Sequence, residues 1–191
     1  MNGYEGASRR DHHGTSHVAI IGFMGAGKST VAELLAQRSG VPLVDIDARI
    51  AEAAQMSIED FFAHNGEQEF RWMEHEMLTD ALRCPDASII ACGGGIVLDP
   101  RNRALLEAQA TVIYLQVTAE ELAQRIDDYA SRPLLQPAIE ADALSDFMQE
   151  REPLYERVAD ITVDTCGLTP HEVCDRIVGM LEEGDHGVLH P

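Results

Sequence analysis

An α/β sandwich built on a parallel β-sheet is the fold that this sequence predicts. Three observations indicate it. Five short apolar runs are typical of buried strands, helical segments alternate with them, and a glycine-rich turn joins the first strand to the first helix. The 191 residues suit one domain with a substantial core, and no internal repeat or linker divides them.

The individual elements follow from apolar patterning and from helix-start residues. Strands are predicted at residues 17–21, 42–45, 88–92, 111–116 and 160–163. Helices are predicted at residues 28–39, from Ser57 toward His64, and at residues 67–82. Further helix starts are Asp99-Pro100, Thr118 with Glu121, and Thr169-Pro170 with Glu172, the last helix running to about Glu183.

The composition of the chain ends and the net charge indicate the domain bounds, the compartment and the classes of partner. Residues 1–16 are polar and form a predicted disordered leader, residues 17–183 the domain, and residues 184–191 a flexible tail. No apolar run is long enough to cross a bilayer, the leader does not resemble a secretory signal, and the four cysteines are scattered. The net charge of −19 disfavours nucleic acid or a membrane as partner. A cytoplasmic monomer is expected.

The strongest motif is a phosphate-binding loop. Residues 22–29 read GFMGAGKS and satisfy GxxxxGK[ST], with a strand before them and a helix after them. Backbone N–H groups of such a loop surround phosphates, its lysine reaches the β- and γ-phosphates, and its Ser29 hydroxyl can ligate Mg²⁺. Lys28 is the only lysine in the chain. The alternative, a glycine-rich turn that binds nothing, is disfavoured by motif and context together.

Two carboxylates follow the second predicted strand. Asp45 and Asp47 stand at its carboxyl end, where open α/β sheets bind ligands. An alternating pair sends its carboxylates in different directions, so one could face Mg²⁺-ATP and the other a second substrate. From position alone, a helix-capping pair is an equally good interpretation.

Three further features have both a functional and a structural interpretation. Arg71 and Glu74 are neighbours on one helix face and form either a solvated ion pair or a carboxylate-binding arginine with its orienting partner. Gly93, Gly94 and Gly95 allow a close backbone approach or a tight turn. The irregular segment 127–142 is a predicted mobile lid. Three arginines accompany this segment: Arg125 before it, Arg132 within it and Arg151 after it. They could supply positive charge when the lid closes, or they could simply be solvated.

These motifs together resemble the shikimate kinase family over about residues 17–183. They are GFMGAGKST at 22–30, VDID at 44–47, GEQEFRWME at 66–74, GGG at 93–95, RPLL at 132–135 and REPLYERVAD at 151–160. The resemblance implies a three-layer sandwich around a five-stranded parallel sheet. It also implies transfer of the ATP γ-phosphoryl group to the 3-hydroxyl of shikimate, on the route to chorismate and the aromatic amino acids.

The resemblance implies a role for each motif residue. Lys28, Asp47 and Arg132 would be catalytic, and Ser29 and Asp45 would hold the Mg²⁺ that accompanies ATP. The implied nucleotide-binding residues are Gly25, Ala26, Gly27, Lys28, Ser29, Thr30, Arg125 and Arg132. The implied shikimate-binding residues are Asp47, Arg71, Gly93, Gly94, Gly95 and Arg151.

Two other functions are consistent with parts of the pattern. A gluconate kinase would keep the phosphate loop but would not need GGG, Arg71 and Arg151 together. A nucleotide-binding regulatory domain without turnover would be expected to lack Asp47 or the lid arginine, and both are present.

Overall fold

A computed structural model describes residues 17–125 and 141–183 of the chain. A five-stranded sheet lies at its centre, in the order β2-β3-β1-β4-β5, and every neighbouring pair is parallel. The strands are β1 (His17–Gly22), β2 (Leu43–Asp45), β3 (Ser88–Ala91), β4 (Ala110–Gln116) and β5 (Ile161–Asp164). All five predicted strands are therefore confirmed, with bounds that differ by one residue at most.

Eight helices connect or follow these strands within the described ranges. They are α1 (Lys28–Ser39), α2 (Ile46–Ala54), α3 (Ile58–Leu82), α4 (Pro100–Gln109), α5 (Ala119–Arg125), α6 (Ala141–Gln149), α7 (Glu152–Val158) and α8 (Pro170–Glu183). A 3₁₀ turn, Ile96–Leu98, precedes α4. None of the helices in these ranges is long and apolar enough to span a membrane.

The connections place the helices on two faces of the sheet. Because parallel strands are joined by right-handed crossovers, the connection from β1 to β2 and the connection from β3 to β4, which run in opposite directions, cover opposite faces. Accordingly α1 packs against α8, while α4 packs against α3 and α7. The predicted three-layer α/β sandwich is confirmed.

Burial along the strands matches their positions in the sheet. All six residues of β1 are buried, as are the first six of β4, because helices cover both faces of these central strands. The edge strand β5 alternates between buried and exposed residues.

Helix α3 bends at one residue. The two helices predicted from Ser57 and from Glu67 are confirmed as the two halves of α3, which meet at Gly66, whose φ of 79° and ψ of 174° are not helical. Ser57 caps its start, accepting a hydrogen bond from the Asp60 backbone N–H at 3.0 Å. The interruption turns the second half of α3 so that Phe70, Glu74 and Leu78 are buried.

Candidate active site

The carboxyl ends of three neighbouring strands lie level at one edge of the sheet. In the register, Ile20 of β1 pairs with Ala91 of β3, and Ala91 pairs with Asp45 of β2. The phosphate loop, the DxD segment and the glycine triplet each start within two residues of these positions. This register therefore brings together three motifs that are far apart in sequence.

The phosphate loop ends at the amino terminus of α1. Gly27 has a φ of 89°, a conformation that favours glycine, and no side chain caps the first turn of this helix. The Lys28 side chain is buried and its Nζ donates a hydrogen bond to the Phe23 carbonyl at 2.9 Å. The lysine therefore folds back over the loop, where its charge and the helix amino terminus reinforce each other.

Ser29 and Asp45 form an oxygen-donor pair beside the loop. The Ser29 hydroxyl donates to Asp45 Oδ2 at 2.8 Å, and Asp45 Oδ1 accepts from the Ala48 backbone N–H at 3.0 Å. Asp45 is thus the N-cap of α2 and also the partner of the phosphate-loop serine. The two interpretations of this residue are compatible, because each uses a different carboxylate oxygen.

Asp47 does not continue the strand as the sequence suggests. It lies in the first turn of α2, so helix geometry and not strand alternation separates its carboxylate from that of Asp45. A Cβ atom built on Gly93 would lie 2.7 Å from Asp47 Oδ1, which places this oxygen against the glycine triplet. Asp47 therefore faces the region between β2 and β3.

Arg71 and Glu74 form an ion pair that is shielded from solvent. Arg71 Nη1 donates to Glu74 Oε2 at 2.9 Å, and the Glu74 side chain is 0% exposed. Arg71 Nη2 also donates to Glu67 Oε1 at 3.1 Å, and the Glu67 side chain is 54% exposed. The solvated helix pair considered from the sequence does not describe Glu74, because its buried carboxylate accepts a hydrogen bond from the guanidinium of Arg71 and is shielded from solvent.

Opposing effects act on the pKa of this pair. Burial raises the pKa of Glu74 to about 7, although the charge and hydrogen bond of Arg71 act in the opposite direction. Asp47 raises it further by charge repulsion. For Arg71, burial alone would lower the pKa, but Glu74 and Glu67 outweigh it and raise the pKa. The arginine stays charged, while Glu74 titrates near neutrality.

Glu74 should make folding stability depend on pH. Since its pKa in the folded state lies above that in the unfolded chain, its contribution is fully present below about pH 4.5 and is lost as the pH rises through about 7. Relative to Glu74→Gln, the free energy of unfolding of the wild type is expected to fall between pH 5 and pH 8, by at most about 1.4 kcal/mol per pH unit. Urea unfolding at four pH values measures this slope.

The control for this slope is Glu69→Gln, a change of the same charge at an exposed position of the same helix. It should leave the pH dependence of the wild type intact. A stability difference between wild type and Glu74→Gln that stays constant from pH 5 to pH 8 would contradict the assignment of this titration to Glu74.

Arg151 supplies a second guanidinium group near Arg71 and the phosphate loop. It precedes α7, is 6% exposed, and its guanidinium carbon lies 3.8 Å from the centroid of the Phe147 ring. Burial is the largest effect on the pKa of Arg151 and lowers it, and the charge of Arg71 lowers it further. Tyr155 and Glu67 act in the opposite direction but do not outweigh burial. No carboxylate of the described residues forms an ion pair with it.

Both guanidinium groups carry buried donors that nothing in the described part of the chain accepts. Arg71 Nε and Arg151 Nη1 have no hydrogen-bond partner there, and neither has Glu74 Oε1. Buried polar groups are nearly always hydrogen-bonded, so two orphaned cationic donors in one region are unusual. They are suited to an anion with several oxygen atoms, such as a carboxylate.

The three glycines of the triplet each have a different reason to lack a side chain. A Cβ at Gly93 would lie 2.6 Å from Glu74 Oε1, one at Gly94 would lie 3.0 Å from the Met24 backbone nitrogen, and one at Gly95 would overlap the Arg71 guanidinium. The triplet therefore lets the helix carboxylate, the phosphate loop and the helix arginine approach one backbone turn. The sequence indicated a close approach but not its partners.

Most of the predicted lid, including the arginine within it, falls outside the described part of the chain. Arg132 and nearly all of the predicted lid lie outside the described residues, although Ala141 and Asp142 at its end belong to α6. Arg125 is the last residue of α5. The sequence did not single out Tyr155, although it lies four residues after Arg151 in the same motif and therefore one helical turn away.

Comparisons with known proteins agree with this arrangement. The sequence profile of the shikimate kinase family matches residues 24–182. A shikimate kinase of Dehalococcoides mccartyi is 41% identical over 168 residues, which cover 88% of this chain and 94% of that protein.

Solved structures agree as well. A shikimate kinase from Acinetobacter baumannii, solved in complex with shikimate, superimposes with a TM-score of 0.83 at 31% identity, over 88% of this chain and 93% of that one. A gluconokinase from Sinorhizobium meliloti reaches a TM-score of 0.58 at 17% identity, over 90% of this chain and 94% of that one, and so shares the fold alone. The chain belongs to the shikimate kinase family.

Proposed function

We propose that this chain transfers the γ-phosphoryl group of ATP to the 3-hydroxyl group of shikimate, giving shikimate 3-phosphate and ADP. The observation that carries the proposal is a pair of guanidinium groups, those of Arg71 and Arg151, whose buried donors Nε and Nη1 have no partner among the described residues. Shikimate is a cyclic alcohol with one carboxylate, which matches an anion site next to a phosphate loop. The relatives named shikimate kinase support the same substrate.

On the nucleotide side, the phosphate loop binds and orients ATP. Backbone N–H groups of residues 25–30 and the amino terminus of α1 surround the phosphates, and Lys28 neutralises charge on the γ-phosphoryl group. Arg125 and Arg132 complete this side of the site in the proposal, as the family motifs imply.

Ser29 and Asp45 suit a Mg²⁺ ion bound with the nucleotide. Their oxygen atoms lie 2.8 Å apart at the end of the phosphate loop, and one hydroxyl and one carboxylate are the donors that Mg²⁺ takes from proteins when phosphates supply the rest. Bound there, the ion would neutralise charge on the phosphate oxygens.

On the acceptor side, Arg71 and Arg151 hold the carboxylate and Asp47 orients the attacking hydroxyl group. The hydroxyl oxygen forms a bond to the γ-phosphorus as the bond from that phosphorus to the oxygen of ADP breaks. Asp47 accepts the hydrogen bond of the hydroxyl and receives or relays its proton. Because the transition state is loose, positioning and charge neutralisation contribute most of the catalysis.

A coupled ADP-release assay tests the proposal with four additions: shikimate, the methyl ester of shikimate, gluconate, and no acceptor. Shikimate should be the good substrate. The ester keeps the ring and hydroxyl groups but not the charge, so its kcat/KM should be lower by about 30-fold or more, corresponding to about 2 kcal/mol or more.

The other outcomes of this assay separate the alternatives. Equal turnover of shikimate and its ester would contradict the guanidinium site. Faster turnover of gluconate would favour a sugar-acid kinase on the same fold, and ADP release that ignores every acceptor would favour a nucleotide hydrolase.

Glu67 should compete with the acceptor for Arg71. Its exposed carboxylate accepts a hydrogen bond from Arg71 Nη2 and its charge also acts on Arg151, so it shares both cations with the incoming carboxylate. Glu67→Gln is expected to lower the KM for shikimate by about 2- to 5-fold, because an exposed ion pair contributes at most about 1 kcal/mol.

Steady-state kinetics at low ionic strength measure this effect, and added salt should reduce it. The control is Glu69→Gln, which makes the same charge change two residues away and should leave the KM unchanged. An increased KM for Glu67→Gln would show that Glu67 assists binding and does not compete.

A further inference from the structure

Tyr155 connects α7 to the glycine triplet. Its side chain is 1% exposed, and its hydroxyl group donates a hydrogen bond of 2.5 Å to the Gly94 carbonyl. Its ring stacks on Tyr114 of β4, with ring centroids 5.1 Å apart and planes 15° apart. The donor of this hydrogen bond is therefore fixed by a buried ring on a strand of the central sheet.

Gly94 is also in contact with the phosphate loop. A Cβ built on it would lie 3.0 Å from the Met24 backbone nitrogen and 3.4 Å from the Met24 Cβ, so the two backbones are in close contact. Tyr155 holds the carbonyl of the same residue. The glycine turn is thus fixed between the phosphate loop and α7.

The same helix carries the arginine proposed for the acceptor carboxylate. The backbone N–H of Tyr155 donates to the Arg151 carbonyl at 3.2 Å, one helical turn away. The Arg151 guanidinium carbon lies 5.9 Å from the centroid of the Phe23 ring in the phosphate loop. The Tyr155 hydroxyl group also forms a hydrogen bond with the Arg151 side chain. Arg151 and Gly94, both on the acceptor side, therefore share Tyr155 as a partner.

We infer that the Tyr155 hydroxyl group is a positioning group that sets the distance between the acceptor site and the phosphate loop. The inference rests on the proposed function. Tyr155 contacts no reacting group. It acts through Gly94, whose position relative to Met24 fixes how closely the acceptor can approach the phosphoryl donor. Near-attack geometry is sensitive to such shifts, since a displacement of about 1 Å can cost about 100-fold in rate.

Protonation of the hydroxyl is secure in this environment. Burial is the main cause that raises the pKa of Tyr155 above its ordinary value, outweighing the opposing effect of Arg151. The hydroxyl therefore remains a donor throughout the pH range in which the enzyme would be assayed.

The test is Tyr155→Phe, which keeps the buried ring and removes one oxygen atom. We expect kcat for shikimate phosphorylation to fall by about 5- to 20-fold and the KM for shikimate to rise by about 2- to 5-fold, as expected for a turn displaced by a fraction of 1 Å. ATP binding without acceptor should be unchanged. The fraction of ATP hydrolysed without transfer should rise, because the phosphate loop is intact while the acceptor is misplaced.

The control is Tyr114→Phe, which removes a hydroxyl group from the other ring of the same stacked pair. It should change kcat, KM and the hydrolysed fraction by less than about twofold, because among the described residues only the Tyr155 hydroxyl is bonded to Gly94. The hydrolysed fraction is a ratio measured in one sample, so it does not depend on how much of the variant is folded.

Two results would overturn the inference. A Tyr155→Phe variant that melts at a lower temperature but keeps kcat, KM and the hydrolysed fraction would show a purely structural hydrogen bond. Equal losses in Tyr114→Phe would assign the effect to the ring pair and not to the Gly94 contact. Wild-type protein that does not phosphorylate shikimate would instead contradict the proposed function.

Discussion

Lys28→Ala is expected to lower kcat by about 1,000-fold, the largest effect of any single substitution proposed for this chain. The lysine is the only one in the sequence, and its buried ammonium group lies over the phosphate loop. Its charge matters most as the γ-phosphoryl group transfers, and loss of one preorganised donor to a developing anion costs about 100- to 1,000-fold. Steady-state kinetics with saturating shikimate measure the change.

A matched variant and a stability measurement complete this test. Lys28→Met keeps a side chain of similar length and should lose activity to a similar extent, which would assign the loss to the charge and not to a cavity. Both variants should melt within a few degrees of the wild type. Activity above one tenth of the wild-type value in either variant would contradict the phosphate-loop assignment.

The sequence predicted the sheet because each strand is marked locally. Short, mostly apolar runs of four to six residues, each close to a glycine, an aspartate or a helix start, predict the strands at both the centre and the edge of the sheet. Right-handed crossovers fix the hand of each connection, but the strand order β2-β3-β1-β4-β5 is seen only in the structure. Little long-range information was needed to predict the strands themselves.

The details of the site depend on contacts that no local pattern marks. The burial of Glu74 follows from the interruption of α3 at Gly66 and from the packing of this helix against the triplet. The pattern GEQEFRWME shows a charged helix face, which is more often exposed than buried. The sequence interpretation treated Asp45 and Asp47 as an alternating pair at the end of a strand. In the structure β2 ends at Asp45 and α2 begins at Ile46, so Asp47 lies on the helix.

Tyr155 illustrates the same limit. Its sequence neighbours indicate a helix and its spacing from Arg151 indicates a shared face, but its partner Gly94 is 61 residues away. Only the assembled sheet edge brings the two together. Residues that position others in this way are therefore the least accessible to sequence reasoning, whereas Lys28 and Ser29 are recognisable from their motif alone.

Arg71→Met and Arg151→Met are expected to have the same effect on acceptor use but different effects on stability. Each removes a cation proposed to bind the shikimate carboxylate, so kcat/KM for shikimate should fall by a factor equivalent to about 2–4 kcal/mol, mainly through KM. ATP binding measured alone should change little. Acceptor binding can be followed by the fluorescence of Trp72, the only tryptophan in the chain and the neighbour of Arg71 on α3.

The difference in stability follows from what each arginine leaves behind. Without Arg71, Glu74 is buried with no cation, and breaking such a pair costs about 3–5 kcal/mol when the remaining group stays charged. Because Glu74 already has a pKa raised to about 7, it can instead take up a proton, so the loss of stability should be larger at pH 8 than at pH 6.

Arg151 leaves no charged partner among the described residues, and methionine retains apolar contact with Phe147. Its replacement should leave the free energy of unfolding unchanged or higher at both pH values. Urea unfolding of the two variants at pH 6 and pH 8 tests this contrast. Equal destabilisation of both would contradict the view that Arg151 is kept buried for ligand binding and not for folding.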